Sequence, residues 1–140
     1  MSEHELKESM LESVAAEHRS IEALFEEMRA AFRRDAGERA ARVVCARLRA
    51  ALEAHYAREE SLYYPSIWAL RPDQKPGLLD LIRSHREFRA QLDAMAGDLE
   101  AGALQEAERQ FEVLTEVFGY HESAEEKLLH SLEREIRALP

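Results

Sequence analysis

Four long stretches of this chain carry an apolar residue at every third or fourth position, and each stripe is interrupted by a histidine. The first runs Leu11, Val14, His18, Ile21, Phe25, Met28, Phe32, and the second Val44, Leu48, Ala51, His55, Glu59, Leu62. The third reads Leu78, Leu81, His85, Phe88, Leu92, Met95, Leu99. The fourth reads Leu104, Ala107, Phe111, Leu114, Phe118, His121, Glu125, Leu128, Leu132. Alternating steps of three and four put each series on one face of an α-helix. A composition rich in Ala, Leu, Glu and Arg favours helix over sheet. Breaks fall at Asp35-Ala-Gly37, at Arg71-Pro-Asp-Gln-Lys-Pro-Gly77 and at Ala101-Gly102. Short connections between long amphipathic helices predict an all-α, up-down-up-down antiparallel four-helix bundle, one domain over residues 1–140. Pro65 is expected to kink or end the second helix, with a further turn through Trp68 to Leu70.

The chain also repeats itself. His18 and His85 are 67 residues apart, whereas His55 and His121, like Glu59 and Glu125, are 66 apart. Flanking residues match as well, Glu59-Glu60-Ser-Leu against Glu125-Glu126-Lys-Leu. Two pseudo-symmetric helical hairpins follow. Counting residues from each hairpin's turn puts His18, His55, His85 and His121 at one level, roughly 25 Å along the helices at about 1.5 Å per residue.

Buried imidazoles and carboxylates cost several kcal/mol unless something compensates them. Here four histidines and two glutamates, Glu59 and Glu125, stand where leucines belong. Each glutamate follows a histidine by four residues, a spacing that places both side chains on one face. The donors exceed what one cation takes with room left for chemistry. Two cations, each with two histidines and both bridged by the glutamates, would use them all. The set is too large and oxygen-rich for structural zinc, and the single cysteine, Cys45, excludes a cysteine-built site. Iron is favoured, then manganese.

The stretches His18-Arg-Ser-Ile-Glu-Ala-Leu-Phe25, His55-Tyr-Ala-Arg-Glu-Glu-Ser-Leu-Tyr-Tyr-Pro65, Ser84-His85-Arg and His121-Glu-Ser-Ala-Glu-Glu-Lys-Leu128 resemble the hemerythrin-like HHE cation-binding family. The likeness runs from about residue 8 to 137. It implies a non-haem centre of two iron ions with an oxo or hydroxo bridge, manganese or zinc being substitutes, that binds O2, NO or peroxide. It also implies His18, His55, Glu59, His85, His121 and Glu125 as the metal ligands. Two departures stand out. Oxygen-carrying hemerythrins have a fifth histidine one turn after the third-helix histidine, where this chain has Arg89; the fourth helix has Glu125 at i+4 in place of an aspartate at i+5. The resemblance therefore implies an open position on one iron. Turnover of peroxide or oxidase chemistry is the competing reading, and iron sensing or donation a third.

Residues around the ligands carry weaker expectations. Glu22 and Arg89 each follow a histidine by four residues and are expected to pair with one another behind the metals, with Glu22 as an alternative direct ligand. Tyr56 and Tyr63 are the tyrosines whose helical offset from His55 lets them approach the centre, and Glu122 shares that offset from His121. Glu60 and Glu126 read as surface residues, and His130 faces solvent. The net charge of −9 argues against nucleic-acid or anionic-membrane partners. A small diatomic or peroxide ligand, a monomeric state and a cytoplasmic location complete the expectations. The first residues lack the basic and apolar runs of a secretion signal.

Overall fold

In the computed structural model, which describes residues 3–33 and 37–137, all regular structure is helical. Side chains are described for residues 10–33 and 37–134. Helix α1 spans Glu3–Arg33, α2 Glu38–Arg58, α4 Lys75–Glu100 and α5 Leu104–Arg137. Between α2 and α4 the chain passes through a π-helical turn at Glu59–Tyr63, a short helix α3 at Tyr64–Leu70 and a 3₁₀ turn at Pro72–Gln74. Arg34, Asp35 and Ala36, part of the first expected break, lie outside the described residues.

The four long helices form a ring in which α1 touches α2, α2 touches α4, α4 touches α5, and α5 returns to α1. The connection from α4 to α5 closes as a Schellman cap. Gly102 takes φ 76°, its N–H donates to Leu99 O at 3.2 Å, and Ala103 N–H donates to Asp98 O at 2.8 Å. Glycine tolerates that left-handed geometry without a Cβ penalty. Lys75 and Pro76 open α4, Pro76 standing where a missing N–H costs nothing.

Two apolar clusters fill the ring, and the histidine level separates them. Toward the two hairpin turns lie Ile21, Phe25, Met28, Leu48, Phe88, Leu92, Met95, Phe111 and Leu114, with Cys45 packed as a small core residue among them. Toward the opposite end lie Met10, Val14, Tyr63, Tyr64, Ile67, Leu78, Leu81 and Leu132. Ring stacking ties α1 to α5, with Phe25 against Phe118 at a centroid distance of 4.9 Å and against Phe111 at 5.8 Å.

One stripe residue departs from expectation. Leu62 faces solvent, 49% exposed, while its neighbours Tyr63 and Tyr64 are buried. The π turn is the cause. Tyr64 N–H donates to Glu59 O, five residues back, so the turn holds one more residue than an α-helical turn. That extra residue rotates everything after Glu59, and Leu62 is carried off the inner face. The turn also resolves the expected conflict at Pro65, which sits in the first turn of α3 rather than inside an α-helical run.

Candidate metal centre

Each long helix delivers its polar interruptions to the same layer. His18 comes from α1, His55 from the last turn of α2, Glu59 from the start of the π turn, His85 from α4, and His121 with Glu125 from α5. All six are 5% exposed or less, and His55, Glu59 and His85 are sealed entirely. The ring centroids of His18 and His55 stand 5.0 Å apart, those of His85 and His121 5.1 Å. Each hairpin thus contributes a histidine pair, as the internal repeat predicted.

The two carboxylates lie between the pairs. Glu59 Oε1 is 3.4 Å from His55 Nε2, 3.1 Å from His85 Nε2 and 3.8 Å from His121 Nε2. Glu125 Oε2 is 3.8 Å from His18 Nε2, and its Oε1 is in contact with His121 Nε2. Each glutamate therefore reaches both halves. Donor atoms of His18, His55, Glu59 and Glu125 all lie within 4.8 Å of one another, as do those of Glu59, His85 and His121. Opposed ligands at about 2 Å from a cation stand about 4 Å apart, so two overlapping cation-sized groups share Glu59.

Satisfaction of hydrogen bonds tests whether this is a polar network or a donor set. His18 Nε2, both nitrogens of His55, His121 Nε2, Glu59 Oε2 and Glu125 Oε1 are buried with no hydrogen-bond partner. A native core rarely leaves so many polar atoms stranded together. Cations fit what the residues lack: the orphaned atoms are nitrogen and oxygen lone-pair donors converging on one layer.

Charge follows the same logic. Burial first, and then the facing Glu125, push Glu59 up to about 12. Burial opposes the charge on Glu125, but the Glu59 carboxyl and the His121 and His18 imidazoles outweigh it and hold Glu125 well below the usual carboxylate range. Burial lowers His55, and lowers His85 to about 4 despite the neighbouring Glu60, so both imidazoles are neutral near pH 7. A neutral imidazole is the form that binds a cation.

The second nitrogens are also arranged. Ser84 Oγ donates to Leu81 O at 2.6 Å, so at 2.7 Å from His121 Nδ1 it accepts that N–H and leaves Nε2 free toward the centre. Glu60 Oε1 sits 3.2 Å from His85 Nδ1, and Glu17 Oε1 3.6 Å from His55 Nδ1. Glu17 is itself held by Arg58 and by the Tyr63 hydroxyl at 2.7 Å. At hydrogen-bond distance Ser84 and Glu60 fix the orientation of His121 and His85 and raise their basicity, whereas Glu17 only faces His55. Glu60 is therefore not the plain surface residue that its position suggested.

Tyr56 meets its expectation. It is fully buried, and its ring stacks on His85 at 4.1 Å. The Tyr63 hydroxyl donates to Glu17 rather than to a ligand. Tyr64, which helical counting places away from the site, is carried inward by the π turn, with its hydroxyl 3.5 Å from His85 Nε2. The expected pairing of Glu22 with Arg89 is absent. Arg89 turns outward, with Nε 3.0 Å from Glu53 and Nη2 3.7 Å from Glu60, because those carboxylates, on α2 and on the π turn that follows it, stand nearer the rim. Glu22 instead meets Glu122, which burial and then that contact raise to about 8. His130 is exposed, as expected.

An antiparallel four-helix ring with histidines and glutamates from every long helix converging on one buried layer defines a bundle of the cation-binding kind. The sequence profile of the hemerythrin HHE cation-binding domain matches residues 9–133, and the chain belongs to that family. Neither curated proteins nor solved structures yielded a significant match. Among the described residues no helix is long and apolar enough to cross a membrane.

Proposed function

We propose that the chain is a non-haem diiron protein that binds O2, NO or peroxide. His18 and His55 would hold one iron, His85 and His121 the other, with Glu59 and Glu125 reaching both. One observation carries this reading: six sealed side chains whose donor atoms converge within cation-sized groups, five of them with a buried polar atom that lacks a partner. When bound, two irons supply one-electron redox chemistry and Lewis acidity at a small ligand. The chain's own residues do the rest. Ser84 and Glu60 orient the imidazoles of His121 and His85, and the apolar clusters on either side exclude bulk water.

Peroxide turnover is a second reading, favoured by Arg89. It stands where oxygen carriers place a fifth imidazole, and its guanidinium is engaged at the rim by Glu53 and Glu60. Linear peroxide consumption by iron-loaded protein, abolished in Glu59→Ala, selects turnover; a stable ligand-bound spectrum selects binding.

Element-resolved metal analysis tests the primary reading. Protein loaded with ferrous iron and desalted should carry two irons per chain and show a visible charge-transfer band, and Glu59→Ala should lose both. Less than one iron in the wild type, or undiminished iron in a His55→Ala/His121→Ala variant, overturns it.

A further inference from the structure

On the outer side of His18, between α1 and α5, a groove of about 380 Å³ opens to solvent. Glu22 and Glu126 line it, and Arg19 is the nearby counter-charge. At its inner end a ring nitrogen of His18 and carboxylate oxygens of Glu122 and Glu126 lie within 4.8 Å of one another. Among the described residues no cationic side chain pairs with Glu22, Glu122 or Glu126, and Glu22 and Glu122 meet one another. Burial differs along this series: Glu22 and Glu126 are exposed, Glu122 is half-buried, and His18 is 95% buried with Nε2 unpartnered. His18 thus belongs to two donor groups, the inner one with His55, Glu59 and Glu125, and the outer one with Glu122 and Glu126.

Of the other cavities beside the buried layer, the one lined by Glu59 and Glu125 themselves, about 10 Å³, is too small to admit a hydrated cation, and two further grooves have their carboxylates already paired. The one beside His55, about 240 Å³, contains Glu17, which Arg58 and Tyr63 already engage. The one beside His121, about 420 Å³, contains Asp80, paired with Arg83 at 3.1 Å. A hydrated divalent cation gives up its water only to oxygen or nitrogen donors that replace it. The α1/α5 groove alone among these three provides such donors from rim to core.

We propose that Glu22, Glu122, Glu126 and His18 form a transit site through which divalent cations reach the buried pair of positions. This rests on the diiron reading above. A neutral imidazole has one lone pair, so His18 serves the outer or the inner group but not both together. The outer site is therefore vacated as the inner one fills; it hands a cation over and does not store it.

The test is the rate at which metal-free protein takes up ferrous iron under argon, read by quenching aliquots with a chelator that removes free metal. In Glu22→Gln/Glu126→Gln, both at exposed positions, the initial rate should fall at least tenfold while the endpoint stays at two irons per chain. Glu112→Gln/Glu116→Gln removes the same charge from α5 roughly 9–15 Å along the helix from Glu122, at about 1.5 Å rise per residue, and should load at the wild-type rate. An unchanged rate in the first variant overturns the transit site. So does equal slowing in both, which would reflect net charge alone, or an endpoint of one, which would make these residues permanent ligands. Wild type that takes up no iron overturns the diiron reading itself.

Discussion

Replacing Glu59 by Met should make the metal-free chain more stable and the metal-loaded chain less stable. Glu59 is fully buried, Oε2 has no partner, and the side chain belongs to both cation-sized groups. Stranding a buried polar atom costs about 1–3 kcal/mol, whereas the hydrogen bond to His85 Nε2, which methionine cannot make, contributes about 0.5–1.5 kcal/mol. Without metal the substitution thus gains about 1 kcal/mol, which at this chain length raises Tm by roughly 3 °C. With metal at a hundredfold excess over Kd, each bound ion stabilises the native state by about 2.7 kcal/mol. Losing two ions therefore outweighs the gain several-fold. Thermal unfolding followed by far-ultraviolet circular dichroism, once with chelator and once with ferrous iron under argon, reads both arms. Destabilisation of Glu59→Met in chelator would refute the reasoning, because it would mean that the carboxyl supports the core without a cation.

Four further outcomes follow from the geometry. Glu60→Gln removes the carboxylate facing His85 Nδ1 and should weaken metal binding about 10–100-fold, the range for outer partners, in chelator competition. Glu122 is raised to about 8 in the folded chain against an ordinary 4.5, so its stabilising contribution is present at low pH and is lost as pH climbs through 8. Glu122→Gln should flatten that decline in Tm of metal-stripped protein between about pH 5 and 8, and identical slopes would refute the assignment. Gly119 lies within α5 with open space where a Cβ would stand, so Gly119→Ala should stabilise by about 1 kcal/mol. Gly102→Ala, at φ 76° with Glu38 Oε1 3.2 Å from the added carbon, should destabilise; the urea midpoint reads both.

The periodic stripes and their turns made the helices legible, and residue counting from each turn placed the four imidazoles at one height. What escaped lies where those two rulers fail. At 3.6 residues per turn Tyr64 falls about 180° from His55, yet the π turn swings it against His85, and the same slip expels Leu62. Pro65 signalled a disturbance there but not its form. Glu60, Glu17 and Ser84 were missed for another reason: their contacts cross between helices, and spacing along one helix carries no information about which partner comes opposite. Arg89 and Glu22 show the same limit, since each has a nearer neighbour on an adjoining element than the residue its register suggested.

Because oily plugs of side chains close the bundle above and below the histidine layer, its long axis is no thoroughfare. Traffic has to pass sideways, through seams in the wall, and each seam belongs to a different pair of staves. On the function proposed above, ions and neutral gases then need not queue at the same door: a seam edged with carboxylates suits the former, one edged with hydrocarbon the latter.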